Sequence, residues 1–252
     1  MRFVRFAIGS TIGYGVLEDA GEIRAISSTP FLPWEPTDET FDPEQVRILA
    51  PVLPSKVVAV GLNYASHAKE TGMPLPQEPM IFLKPSTSVI GPGETIYLPS
   101  QSQRVDHEGE LAVVIGKAAR NVSDVAAADS ILGYTCANDV TARDLQAKDV
   151  QFTRAKGFDT FCPLGPHVVT DLDPLKLELS CRVNDEVRQK SSTSDLVFGP
   201  AALVSFVSSV MTLLPGDVLL TGTPAGISPI ADGDVVEVEI SGIGVLRNPV
   251  SA

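Results

Sequence analysis

Between Arg104 and Lys156 the chain sets two carboxylates, Glu108 and Glu110, directly in front of an apolar run, LAVVIG. That run reads as a β-strand. Side chains two apart on a strand share a face, so both acids point the same way beside a core. Like charges held that close repel, and burial penalises each of them. A divalent cation removes both problems, because hard cations prefer carboxylate oxygens. Asp139 closes a second apolar stretch, ILGYTCAND, and offers a third oxygen. The pattern predicts a Mg²⁺-type site on Glu108, Glu110 and Asp139 with open positions for a substrate. The ordinary role of Glu-x-Glu, the solvated face of an antiparallel sheet, stands against it. Arg143 and Gln146 follow Asp139 at positions that share a helix face, and Lys156 comes next in a loop. Acid, guanidinium, amide and ammonium together suit a bound organic acid better than a core.

Composition narrows the choice. The 252 residues allow one large domain, or a large and a small one. A net charge of −12 argues against nucleic acid and anionic membranes as partners. It also means that an anionic substrate needs local positive charge, which Arg143 and Lys156 supply. No apolar run approaches the ~20 residues of a spanning helix, and the N-terminus lacks the features of a signal peptide. Cys136, Cys162 and Cys181 have no paired spacing, which points to a reduced, cytoplasmic setting without zinc. Cys162 is read as a structural thiol.

Residues 1–53 read as a small antiparallel meander followed by a Pro- and acid-rich linker, with a short helix capped by Asp42. Residues 54–252 hold the chemistry. KVVAVG, residues 56–61, is a buried strand. After it, His67 and Glu70 stand at i and i+3. On a helix the acid would orient the imidazole as a general base, although a surface pair has the same spacing. GMPLPQEP then reads as a lid loop. Lys84 faces either substrate or solvent. Strand alternation turns His107 away from the two Glu, and His167 is assigned to the surface or to a supporting position. Helices are expected at 124–130, around Arg143 and Gln146, and over 199–214. A hairpin turns at Asn184-Asp185, and TGTPAGI is a Gly-rich turn whose backbone can approach a ligand.

DHEGELAVVIG, ANDVTARDLQ, AKGF and TGTPAGI, in that order, resemble the fumarylacetoacetate hydrolase family from about Lys56 to the C-terminus. The resemblance implies an α+β, strand-rich fold, a mixed β-sandwich roll with a small N-terminal β domain, and a homodimer. It implies Mg²⁺ or Mn²⁺ on Glu108, Glu110 and Asp139. It makes His67 and Glu70 a catalytic pair on a lid, and Lys156 the partner of a developing enolate. It also sets Arg143, Gln146, Gly222 and Thr223 against the substrate. The expected activity is cleavage of a C–C bond next to a metal-chelated 2-oxo acid, by acylpyruvate hydrolysis or oxaloacetate decarboxylation. Isomerisation of 2-hydroxyhepta-2,4-diene-1,7-dioate uses the same grip. A non-catalytic metabolite-binding protein and a purely structural dimeric β protein are the readings from other classes.

Overall fold

The computed structural model describes residues 1–252 and is built on strands. Ten strands of the main sheet follow one another as Pro36–Phe41, Ile23–Ile26, Thr11–Leu17, Arg2–Ile8, Cys162–Val169, Ile131–Asn138, Gly109–Ile115, Val218–Leu220, Val57–Gly61 and Met80–Lys84. All neighbours along this path are antiparallel except Val57–Gly61 beside Val218–Leu220. Residues 30–55 are more than a linker: Pro36–Phe41 is an edge strand of this sheet, and Arg47–Ile48 pairs with Arg2–Ile8. The short helix expected there is one 3₁₀ turn, Pro43–Gln45, whose Glu44 N–H donates to Asp42. Arg2–Ile8 also pairs with Cys162–Val169, so the N-terminal strands and the rest of the chain share one sheet.

LAVVIG is continuously apolar because its strand is covered on both sides. Leu111, Val113 and Ile115 join one core cluster, while Ala112 and Val114 join the other. On the first side lies a five-stranded sheet, Glu186–Ser192, Glu178–Val183, Val235–Ile240, Gly244–Ser251 and Ile96–Tyr97. It brings Leu179, Cys181, Val236, Val238 and Ile240 to that cluster, and the long helix Pro200–Val210 adds Leu203, Val204 and Val207. The second side is closed by Phe3, Ile26 and Val52, with Phe31 and Trp34 at its rim.

The other helices are short: α1 Ala65–Thr71, α2 Asp124–Ala128, α3 Arg143–Lys148 and α4 Thr153–Lys156. Lys156, expected in a loop, is therefore the last residue of a helical turn. No helix is long and apolar enough to cross a membrane.

Register builds the site. Gly109 pairs with Asn138 and Glu110 with Ala137, so Glu108 falls beside Asp139, whose N–H donates to the Glu108 carbonyl. Ala112 pairs with Leu220, and Leu220 with Ala59. The segments carrying Glu108, Asp139, Gly222 and Gly61 therefore all leave the sheet at one end.

Candidate active site

Oxygens of Glu108, Glu110 and Asp139, one from each, lie within 4.8 Å of one another, and all three residues are buried. Two lysines answer two of the acids. Lys156 Nζ donates to Glu108 Oε2 at 2.7 Å and to Asp139 Oδ2 at 2.6 Å. Lys84 Nζ donates to Asp139 Oδ1 at 2.6 Å. Lys84 is 1% exposed, so it is not the exposed strand residue that its sequence position allowed. Glu110 has no cation. Its partner is the Gly222 N–H, which donates to Oε2 at 2.6 Å. Gly222, expected against the substrate, is committed to this carboxylate.

The electrostatics follow from those partners. Burial alone would raise the Glu108 carboxyl, but Lys156 and Arg143 outweigh it and hold the group at about 2. Burial raises Glu110 well above the carboxylate range, and the charges of Asp139 and Glu108 push the same way. Burial works against charge on Lys156, yet Asp139 and Glu108 overcome it and keep the ammonium above its usual range. A buried carboxylate without a cation, one ligand's reach from two others, is what a hard dication would satisfy. The donor set therefore fits Mg²⁺ or Mn²⁺.

Arg143, at the start of α3, donates through Nε to Asp106 at 2.9 Å, through Nη1 to Gln146 at 2.6 Å, and through Nη2 to Glu108. Asp106 is fully buried and also takes Arg104. Period-two alternation puts Asp106 in line with Glu108 and Glu110, a signal present in the sequence and passed over there. His107 faces away, as expected, between Ser228 and Cys181, and burial lowers it to about 4. His167 is buried rather than superficial, with its ring also lowered to about 4 by burial and by Arg2. The Cys162 thiol is buried and pushed up to about 12, as suits a structural residue.

A cavity of about 180 Å³ opens onto Glu108 and Glu110. His67, Arg143, Gln146, Lys156 and Thr223 line it, together with an apolar wall of Leu62, Met73, Met80, Phe82 and Phe152 that the sequence did not reveal. On α1, His67 Nδ1 lies 2.9 Å from Glu70 Oε2. A carboxylate only accepts, so Nδ1 carries a proton, which leaves Nε2 as the nitrogen that can take up or release one. The other Glu70 oxygen accepts the Gly226 N–H at 3.0 Å, which fastens α1 to the turn after Thr223. The Thr223 hydroxyl spends its one proton within the protein: it donates to Gly109 O at 2.9 Å and accepts from Gln189 Nε2 at 2.7 Å.

Residues 56–251 match the model of the fumarylacetoacetate (FAA) hydrolase C-terminal domain. The chain belongs to the fumarylacetoacetate hydrolase family. Like other members of this family, it is an enzyme. Residues 1–51 match a second model, Rv2993c-like, N-terminal. Protein Rv2993c of Mycobacterium tuberculosis is 50% identical over 99% of this chain and 98% of its own length. The mitochondrial oxaloacetate tautomerase fahd2 of Xenopus laevis is 45% identical over 81% of this chain and 68% of its own length. A crystal structure described as 5-carboxymethyl-2-hydroxymuconate delta-isomerase from Mycobacterium smegmatis is 50% identical, covers 100% of this chain and 99% of its own, and superposes with a TM-score of 0.94.

Proposed function

We propose that this fumarylacetoacetate hydrolase family enzyme interconverts keto and enol forms of a small 2-oxo acid in the presence of Mg²⁺ or Mn²⁺. One observation carries the reading: the imidazole of His67, with Nε2 free of any partner in the protein, lines the same cavity as Lys156, Glu108 and Glu110. The tautomerase and isomerase among the relatives support it. The cavity lies below the ~300–1,000 Å³ of drug-sized ligand sites, which suits a short acid.

The charges are matched to such a ligand. With a dication bound and Glu110 ionised as one of its ligands, Glu108, Glu110 and Asp139 carry three negative charges, and Lys84, Lys156 and Arg143 carry three positive ones. Asp106 and Arg104 cancel. A bound dication leaves the site with two positive charges, the complement of a carboxylate plus an enolate, or of a dicarboxylate. The cation, held by Glu108, Glu110 and Asp139, would supply Lewis-acid polarisation of the 2-oxo group.

The remaining work falls to side chains. His67 Nε2 takes a proton from the carbon next to the 2-oxo group, Glu70 steadies the imidazolium that forms, and the imidazolium gives that proton to the enolate oxygen to complete the enol. Lys156, fixed as an ammonium, faces the charge that develops on oxygen and stabilises it without giving up its proton. Arg143 and Gln146 hold the polar end of the acid. Phe82 and Phe152 pack edge to face at 5.5 Å and help exclude water.

C–C cleavage uses the same cavity, and a direct assay separates the reactions. Enol absorbance of oxaloacetate, an acylpyruvate and a hydroxy-diene dioate is followed with Mg²⁺ or Mn²⁺ while pyruvate is measured in parallel. Enol decay without pyruvate is the expected result. Stoichiometric pyruvate would replace isomerisation by cleavage. In that case, loss of acylpyruvate hydrolysis in His67→Ala with oxaloacetate decarboxylation spared would assign His67 to water activation. Binding of these acids without turnover would leave a metabolite-binding protein.

A further inference from the structure

Gln189 sits on the strand Glu186–Ser192 of the five-stranded sheet, outside the cavity, and is 1% exposed. Its amide is fully engaged with the two segments that build the site. Oε1 accepts the Gly109 N–H at 2.9 Å, between the two ligand glutamates. Nε2 donates to Thr223 Oγ1 at 2.7 Å and to Pro224 O at 2.8 Å. Thr223 closes the ring by donating to Gly109 O. The contact is tight on both sides. A Cβ on Gly109 would meet Cys181 Cβ at 3.1 Å, and one on Gly226 would meet Arg188 O at 2.1 Å. With its hydroxyl proton already given to Gly109 O, Thr223 has its main-chain N–H as the donor left for a ligand: that group makes no hydrogen bond within the protein.

We infer that Gln189 is a positioning residue that fixes the distance between the Glu108–Glu110 carboxylates and the main-chain donor of Thr223. The inference rests on the metal and 2-oxo acid reading above. A primary amide suits the task because it accepts from one segment while donating twice to the other. Gly226, two residues beyond the Pro224 carbonyl, is also where Glu70 fastens α1, so the ring and the His67 pair share one loop.

The two arms can be separated by substitution. Gln189→Glu keeps an acceptor for Gly109 but opposes a carboxylate to the Pro224 carbonyl, so the loop arm is the one that loses its hydrogen bonds. Gln189→Met keeps the volume and loses both arms. Mn²⁺ binding to the metal-free protein and oxalate binding to the Mn²⁺-loaded protein are measured by calorimetry, alongside kcat and KM. For Gln189→Glu we expect Mn²⁺ affinity within about threefold of wild type, oxalate affinity and KM worse by about tenfold, and kcat nearly unchanged. For Gln189→Met, Mn²⁺ affinity falls as well, by about tenfold, in line with the 10–100-fold typical of lost outer-shell hydrogen bonds. Wild-type constants in both variants overturn the inference, as does failure of both to fold, which would make Gln189 a stability residue alone. If the wild-type protein binds no Mn²⁺ and turns over no 2-oxo acid, the functional reading itself is what fails.

Discussion

Replacing Glu110 by Gln should make the metal-free protein more stable and abolish its response to metal. Glu110 lies within 4.8 Å of Glu108 and Asp139 and has no cation of its own. At an effective dielectric of ~20, unit charges at that distance repel by about 3.5 kcal/mol per pair. Lys84 and Lys156 offset part of this, so a net gain of about 1–3 kcal/mol is expected from removing the charge while keeping an acceptor for the Gly222 N–H. At ~2–4 °C per kcal/mol in a chain of this size, the melting temperature should rise by about 2–12 °C.

The gain depends on pH with a definite sign. The folded-state pKa of Glu110 is raised, so at low pH the group is already neutral and the two proteins should melt together. As pH rises through that pKa, the wild type must hold a repelled charge and the curves separate. Mn²⁺ at 100 times its dissociation constant should stabilise the wild type by ~2.7 kcal/mol, and the Glu110→Gln variant should show far less. The assay is scanning fluorimetry from pH 5 to pH 8.5, with EDTA or Mn²⁺. A variant that melts lower than wild type in EDTA at pH 8, or that keeps the full Mn²⁺ shift, would refute the reasoning.

His67→Ala should lower turnover by about 10²–10⁴-fold while oxalate still binds the Mn²⁺-loaded protein, because the ring moves a proton and does not anchor the acid; steady-state rates and calorimetry check both halves. Lys156→Met should lower kcat more than it raises KM, by about 10²-fold or more, since the charge it meets develops during reaction; an unchanged kcat would reduce the lysine to a grip. Leu111→Ala, in the larger core cluster, should cost about 2–5 kcal/mol in urea unfolding. Glu108 is held at about 2, so the stability it contributes is present above the ordinary carboxylate range and lost as pH falls toward 2; acid unfolding should be shallower for Glu108→Gln.

The three acids were legible because each stands at the end of an apolar run, where strand alternation fixes direction and register does the rest. His67 and Glu70 were legible as a spacing. Lys84 was not: its partner, Asp139, lies 55 positions further on, and nothing local says that a lysine ending MIFLK turns inward. The strand Pro36–Phe41 was hidden by its proline and acids, which an edge strand tolerates at its first residue and on its solvent side. Gln189 was invisible because its partners are far along the chain, Gly109 on a strand of another sheet and Thr223 and Pro224 in the turn after Val218–Leu220. The apolar cavity wall was missed because Leu62, Phe82 and Phe152 converge only through tertiary packing.

The pairing of Arg2–Ile8 with Cys162–Val169 has a consequence for how the protein is made. On the ribosome the first strand emerges long before its partner. At ~5–20 residues per second, the roughly 150 intervening residues take about 10–30 s to synthesise. Throughout that interval Arg47–Ile48 can cover Phe6 and Ala7, but the Arg2–Phe3 end of that edge has no neighbour, and an open stretch of edge is what captures other chains. Chains stalled near residue 120 should therefore recruit chaperones or aggregate, and chains stalled well beyond residue 169 should not. Equal behaviour of the two in a stalled-ribosome pull-down would show that the meander shields itself.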